Sequence, residues 1–125
     1  MFFGKTTKEI GDKGEKAAAK MLKKKGYKIV SQNFSSAHGE IDIIAESKDF
    51  LVFVEVKTRQ DSEINFENYG LPGEAVNKKK QQHIIYTANI FLNTYHTDKA
   101  MRFDVIEVFL SNKLRINHIE DAFHL

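Results

Sequence analysis

The chain of 125 residues contains no cysteine, and proline occurs only once. Without cysteine there is no disulfide, no thiolate metal site and no cysteine nucleophile. No stretch approaches the roughly 18 consecutive apolar residues of a membrane helix. The N-terminal "MFFGKTTKEIGDKGEKAAAK" lacks the long apolar segment of a signal peptide. We therefore expect a soluble, cytoplasmic protein without membrane association.

An excess of charge of one sign is also missing, because 19 basic and 17 acidic residues leave a net charge of only +2. This balance neither requires nor excludes a polyanionic partner. The sequence has no glycine-rich phosphate loop and no Gly-x-Ser-x-Gly motif, and its scattered histidines argue against a zinc site. The length predicts a single domain over residues 1–125, large enough to bury its own core.

Hydrophobic periodicity predicts an α/β domain with the order αβββαβ and room for one further edge strand. The predicted helices cover residues 7–25, capped by Thr6 or Thr7, and residues 74–95. The predicted strands cover residues 27–34, 39–46, 50–58 and 101–110, with a short edge strand at 113–118. The polar segment 59–73 predicts a long loop. Because a helix lies between the third and fourth strands, we expect a crossover and a central mixed sheet flanked by helices.

Charged residues stand inside two of these strands, in "GEIDIIAESKDFLVFVEVKTR". Side chains alternate across a strand, so Glu55 and Lys57 share one face of the third strand. By the same rule Glu40, Asp42 and Ile44 share a face of the second strand, opposite Ile41, Ile43 and Ala45. An antiparallel hairpin in suitable register brings Asp42 to Glu55 and Lys57.

Two adjacent carboxylates are costly unless a cation neutralises them, and Mg²⁺ prefers such oxygen ligands. A nearby lysine can orient a water molecule or stabilise a phosphoryl transition state. The Asp-x12-Glu-x-Lys pattern therefore suits a site that hydrolyses phosphodiesters, although an ordinary salt-bridged strand surface has the same composition.

Two helical features extend this pattern. Glu15 shares helical spacing with Ala18, Ala19 and Leu22, so it either supplies a third carboxylate at the sheet or pairs with neighbouring lysines in solvent. Lys80 and Gln81 prolong the apolar stripe of the second helix toward its N-terminus. From there they either contact a phosphate or form a solvated helix start.

Several motifs resemble those of the uncharacterised bacterial YraN family over most of the chain. They are "GDKGEKAAAKML" with "KGYKIVSQN", "GEIDIIA" with "FLVFVEVKTR", "EAVNKKKQQ" and "MRFDVIEV". The resemblance implies a restriction-endonuclease-like three-layer fold of the PD-(D/E)xK superfamily, similar to Holliday-junction resolvases. One departure is "FSSAH", which has no arginine or lysine where relatives commonly carry arginines; His38 can supply part of the missing basic character.

The resemblance implies catalytic roles for Asp42, Glu55 and Lys57, and Mg²⁺ or Mn²⁺ held by Glu15, Asp42 and Glu55. For nucleic-acid contacts we predict Arg59, Lys80 and Gln81. The expected activity is that of a metal-dependent endodeoxyribonuclease acting on branched or repair-intermediate DNA, working as a homodimer. The alternative is a nucleic-acid-binding module of the same fold with weak or no catalysis.

Overall fold

The computed structural model describes residues 6–60 and 76–124, which form two helices and five strands. In chain order these elements are α1 (Thr7–Lys24), β1 (Lys28–Ser36), β2 (Gly39–Glu46), β3 (Phe50–Arg59), α2 (Lys78–Leu92), β4 (Ala100–Phe109) and β5 (Arg115–Phe123). No helix within these ranges is long and apolar enough to span a membrane.

The five strands form one sheet in which spatial order equals chain order, from β1 to β5. β3 and β4 are parallel, and every other pair of neighbours is antiparallel. Parallel neighbours cannot be joined by a tight turn, so α2 crosses over between them. The predicted α/β class, mixed sheet and element order are confirmed, and β5 is the further edge strand, longer than the predicted 113–118.

α1 covers one face of the sheet. Thr6 caps it through a reciprocal capping box with Glu9, and the helix ends before Gly26, whose φ of 96° favours glycine. Ala18 and Leu22 are fully buried in a core on this face. Its sheet residues are Ile43, Ala45, Val52, Val54, Ile106 and Val108.

α2 covers the opposite face. Asn77 caps it by accepting a hydrogen bond from the backbone N–H of Lys80 at 2.9 Å. The predicted stripe of Ile84, Ala88 and Phe91 is buried as expected. The sheet residues of this second core are Ile41, Ile44, Leu51, Phe53, Phe103, Val105 and Phe123. The predicted helix of residues 74–95 is shorter, because Asn77 begins it and Asn93 ends it; residues 74 and 75 lie outside the described ranges.

The prediction that the side chains of β2 alternate strictly between the two faces of the sheet was wrong at one position, Ile41. Ile43 and Ala45 belong to the α1 core and Ile44 to the α2 core, as alternation requires. Ile41, however, packs in the α2 core with Ile44 and not with Ile43. The pairing of β2 with β3 extends from Glu46 to Ile43, and beyond Ile43 the strand stays paired with β1 at Ile41, Glu40 and Gly39. Of the predicted loop 59–73, Arg59 ends β3, and residues 61–73 lie outside the described ranges.

A buried polar network joins β4 to its neighbours at Asp104, which has no exposed surface. Asp104 accepts two hydrogen bonds from Arg102, at 2.9 and 2.8 Å, and contacts His118 Nε2 at 2.7 Å. The backbone N–H of Asp121 donates to it at 3.0 Å. Arg102 also donates to the hydroxyl of Tyr27 at 2.6 Å, which connects the network to the segment after α1.

Candidate active site

The strand hairpin brings the predicted acidic residues together. Ile43 pairs with Val54 in the antiparallel register of β2 and β3, so Asp42 and Glu55 are the next residues along. Asp42 Oδ2 accepts the backbone N–H of Val56 at 2.8 Å, and its carboxyl group hydrogen-bonds that of Glu55. Glu55 is only 5% exposed. The predicted meeting of these two carboxyl groups is therefore a feature of the fold.

The environment of Asp42 favours its protonated form. Burial, followed by the hydrogen bond and the negative charge of Glu55, raises the pKa of Asp42 to about 8. The bond from Val56 opposes this shift, and the charge of Glu15 adds to it. A carboxyl group in this position holds a proton at neutral pH unless a cation replaces it.

Glu15 and Glu40 extend the group of carboxylates. One carboxylate oxygen from each of Glu15, Glu40 and Asp42 lies within 4.8 Å of the other two. Burial, then repulsion from Glu40 and Asp12, raises the pKa of Glu15. The helical spacing of Glu15 with Ala18, Ala19 and Leu22 thus correctly indicated that Glu15 lies on the side of α1 that faces the sheet. Glu40, which the sequence reading kept outside the metal-binding set, lies inside the cluster.

Asn33 is a site residue that sequence reasoning missed. With its amide nitrogen facing the acids, it donates to Glu15 Oε1 at 2.9 Å and to Glu40 Oε1 at 3.0 Å. Its φ of 55° is left-handed, a conformation that asparagine tolerates better than most residues. The asparagine in "VSQNFS" was the one hint in the sequence, but an asparagine in a predicted strand is usually interpreted as an ordinary polar residue.

Two lysines lie on the other side of Glu55. Lys80, at the start of α2, forms an ion pair with Glu55 and lies beside Lys57. Burial lowers the pKa of Lys80, but its bond to Glu55 and the charge of that residue outweigh this and raise it. Burial, then the charge of Lys80, lowers the pKa of Lys57. The two amines are thus pushed in opposite directions, and Lys57 is the one that gives up its proton more readily.

The remaining predicted contacts lie at the margins of the cluster. Arg59 is the last residue of β3, and its carbonyl oxygen accepts the N–H of Leu110 at 2.7 Å. Gln81 uses its side-chain amide to donate to the carbonyl of Val76 at 2.8 Å, which fixes the approach to α2. Nucleic-acid contacts by Arg59, Lys80 and Gln81 remain predictions.

The donor set fits a hard divalent cation. All four acidic side chains offer oxygen ligands, which Mg²⁺ and Mn²⁺ accept, and burial together with the neighbouring negative charges raises the pKa of both Asp42 and Glu15. A cation at this position would offset both the loss of solvation and the mutual repulsion of these carboxylates. Glu15, Glu40 and Asp42 are the residues placed to hold it, with Glu55 in contact with Asp42.

Comparison with known proteins supports the resemblance found in the sequence. The model of a family described as uncharacterised protein family UPF0102 matches residues 14–108. A UPF0102 protein of Caldanaerobacter subterraneus is 47% identical over 121 residues, which is 93% of this chain and 95% of the relative. A UPF0102 protein of Clostridium beijerinckii is 46% identical over 125 residues, covering 97% and 98%. Another from Clostridioides difficile is 48% identical over 117 residues, covering 93% and 97%. These matches confirm the YraN-like resemblance: the chain belongs to the uncharacterised protein family UPF0102.

Proposed function

We propose that this protein hydrolyses phosphodiester bonds of DNA in a reaction that depends on Mg²⁺ or Mn²⁺. The observation that carries the proposal is the cluster of carboxylate oxygens from Glu15, Glu40 and Asp42 within 4.8 Å, joined through Asp42 to Glu55. Carboxylates this close together repel one another and weaken the fold unless something neutralises them. Their convergence beside two lysines has a chemical reason if the cluster holds a cation against a phosphate.

The carboxylates would hold the ion at the end of the hairpin, with Asn33 fixing the side chains of Glu15 and Glu40. Bound there, such an ion supplies polarisation of the phosphoryl oxygen and makes a water molecule more acidic. The bond from the Val56 N–H holds Asp42 in place, so the cluster is preorganised by the backbone of β3.

Lys57 is suited to accept the proton of the attacking water. Its pKa is lowered by burial and by Lys80, so more of it is neutral than of an ordinary lysine. Water loses this proton to Lys57, its oxygen bonds to phosphorus, and the bond from phosphorus to the leaving oxygen breaks. The leaving oxygen takes a proton from solvent. Lys80 would turn its positive charge to the phosphate when the ion takes its place beside Glu55.

A second candidate function is nucleic-acid binding without efficient catalysis. The ion pair between Lys80 and Glu55 favours this reading, because it engages a carboxylate that the family resemblance assigns to the metal. In a protein that only binds, this pair would persist with the cation present. In an active enzyme, Glu55 would exchange Lys80 for the ion.

Cleavage of branched, single-stranded and duplex DNA with Mg²⁺ or Mn²⁺ tests the proposal. We expect Asp42→Asn, which removes a carboxylate of the cluster that would hold the ion, and Lys57→Ala, which removes the general base, each to lower the rate by at least about 100-fold. Asp49→Asn and Lys48→Ala, on the exposed turn between β2 and β3, are matched controls that should keep full activity.

A second measurement separates the enzyme from a contaminant and from a pure binder. Mg²⁺ should raise the melting temperature of the native chain and of Asp49→Asn, but not that of Asp42→Asn. Equal cleavage by all variants would point to a contaminating nuclease. Absence of cleavage together with tight DNA binding would establish the second candidate function.

A further inference from the structure

A groove separates α1 from β1 and leads to the carboxylate cluster. Its volume is about 460 Å³, and it is lined on the helix side by Lys16, Lys20 and Lys23 and on the strand side by Gln32 and Asn33. Asp12 and Glu15 line the same groove, and Glu15 and Asn33 also line a second hollow of about 380 Å³ that reaches Glu40. The lysines and the acids therefore share one continuous depression.

The three groove lysines follow one another at intervals of four and three residues, which places them on the same side of α1. With a rise of 1.5 Å per residue, Lys16 and Lys23 are about 10 Å apart along the helix axis. This distance corresponds to roughly three nucleotides at the stacked spacing of a DNA strand. The row is therefore matched in length to a short piece of phosphate backbone.

Three lysines pair with acids among the described residues. Lys8 pairs with Asp12, Lys80 with Glu55 and Lys99 with Glu46. Over residues 6–60 and 76–124, by contrast, the structure shows no ion pair for Lys16, Lys20 or Lys23, all of which are exposed. Asp12, one of the two acids that line the groove, is already paired with Lys8 at 2.9 Å.

We propose that the groove between α1 and β1 binds the sugar–phosphate backbone of the nucleic-acid strand that enters the carboxylate cluster. Ammonium groups bind phosphates as point charges and read no base, so this surface would contribute affinity and direction without sequence preference. The strand would run from Lys23 past Lys16 to Glu15 and Glu40. This inference rests on the proposed action on nucleic acid and assigns to it the track by which the strand arrives.

The ordinary explanation of a lysine row is a solvated helix face. If the lysines form only a solvated face, the affinity for nucleic acid should depend on the number of positive charges alone. If they form a binding groove, the affinity should depend on where those charges lie. The triple variant Lys16→Ala, Lys20→Ala, Lys23→Ala can be compared with the matched triple Lys24→Ala, Lys48→Ala, Lys113→Ala. The control lysines are exposed and none lines the groove. Each triple removes three positive charges from a chain of net charge +2.

Fluorescence anisotropy with a labelled oligothymidylate in EDTA measures binding without cleavage. We expect the groove triple to weaken binding by roughly tenfold to a hundredfold, and to reduce the slope of log affinity against log salt by about 2. The control triple should change both much less. Circular dichroism and urea midpoints of the two triples should match, which shows that both fold.

The outcomes separate the groove from the proposed reaction. Equal losses in the two triples would refute the groove while leaving metal-dependent cleavage intact. A selective loss in the groove triple, with no cleavage by the native chain in Mg²⁺ or Mn²⁺, would support the groove and refute the hydrolysis. Failure of the native chain to bind the oligothymidylate would overturn the groove, while cleavage in Mg²⁺ or Mn²⁺ is decided by its own assay.

Discussion

Gly14 is a residue at which no side chain fits between α1 and β3. A Cβ atom there would lie 1.9 Å from Thr58 Oγ1 and 2.8 Å from its Cβ. Because contacts this short force the helix away from the strand, we expect Gly14→Ala to lower the free energy of unfolding by about 1–3 kcal/mol. Glu15 follows directly, so the displacement would also move a carboxylate of the cluster.

Gly11 provides the matched control in the same helix, since nothing lies within 4 Å of a Cβ built there. Gly11→Ala should stabilise the protein by up to about 1 kcal/mol, because alanine is the better helix former. Urea unfolding of both variants measures the difference. A Gly14→Ala variant as stable as Gly11→Ala would contradict the close approach.

At the residue scale, the sequence predicted what depends on strand register and helical spacing. The adjacency of Asp42 to Glu55 follows from a hairpin, and the half-buried position of Glu15 follows from its spacing with Ala18 and Leu22. The role of Asn33 could not be predicted, because it depends on a left-handed φ that asparagine adopts in only a minority of cases. Nor could alternation foresee that Ile41 joins the α2 core.

At the scale of elements, the start of α2 determines where Lys80 stands. The Asn77 side chain accepts the Lys80 N–H, so the cap and the lysine of the site belong to the same helical turn. We expect Asn77→Ala to cost about 1 kcal/mol, the usual effect of losing an N-cap. Urea unfolding measures this cost.

Asn77→Ser is the corresponding control, since serine caps helices nearly as well as asparagine. It should keep the stability of the native chain and its cleavage rate. If the alanine and serine variants unfold at the same urea concentration, the Asn77 side chain contributes no cap.

Element boundaries were predicted well where a strong local signal stands, and poorly elsewhere. Gly26 marks the end of α1, and the turn at Ser47–Asp49 separates β2 from β3 as expected. The length of β5 was underestimated, because it alternates weakly and is set by pairing with β4 from Phe109 to Phe103. Such pairing is a tertiary effect that the local sequence does not encode.

At the scale of the whole molecule, the Asp104 network connects β4, β5 and the segment after α1. Asp104→Asn would leave the guanidinium of Arg102 buried beside a neutral group. We expect a loss of about 3–5 kcal/mol in unfolding free energy, as for other broken buried ion pairs. Glu107→Gln on the same strand, whose bond to Asn117 is exposed, should change stability by less than about 0.5 kcal/mol.

The pH dependence of the stability difference between the native chain and Asp104→Asn tests whether that difference is electrostatic. Burial raises the pKa of Asp104, but hydrogen bonds from His118, Arg102 and the Asp121 N–H outweigh it and hold that pKa below its usual 3.8. The folded chain therefore binds fewer protons than the unfolded chain near this pH, and the stabilisation is present above it and lost below. The stability gap between the native chain and Asp104→Asn should narrow in urea titrations below about pH 4. A gap that stays constant there would indicate a packing defect instead.

The identity of spatial and chain order in the sheet has a consequence for biosynthesis. The carboxylates and Lys57 all precede residue 60, so a ribosome delivers them before α2 and β4, which follow seconds later at roughly 5–20 residues per second. During that interval β3 is an open edge, and Ile44, Leu51 and Phe53 have no helix to cover them. Arrival of α2 buries this surface and brings Lys80 to Glu55 in the same step. The candidate active site of the nascent chain is therefore completed by Lys80 in the same step in which α2 covers the exposed apolar face of the sheet.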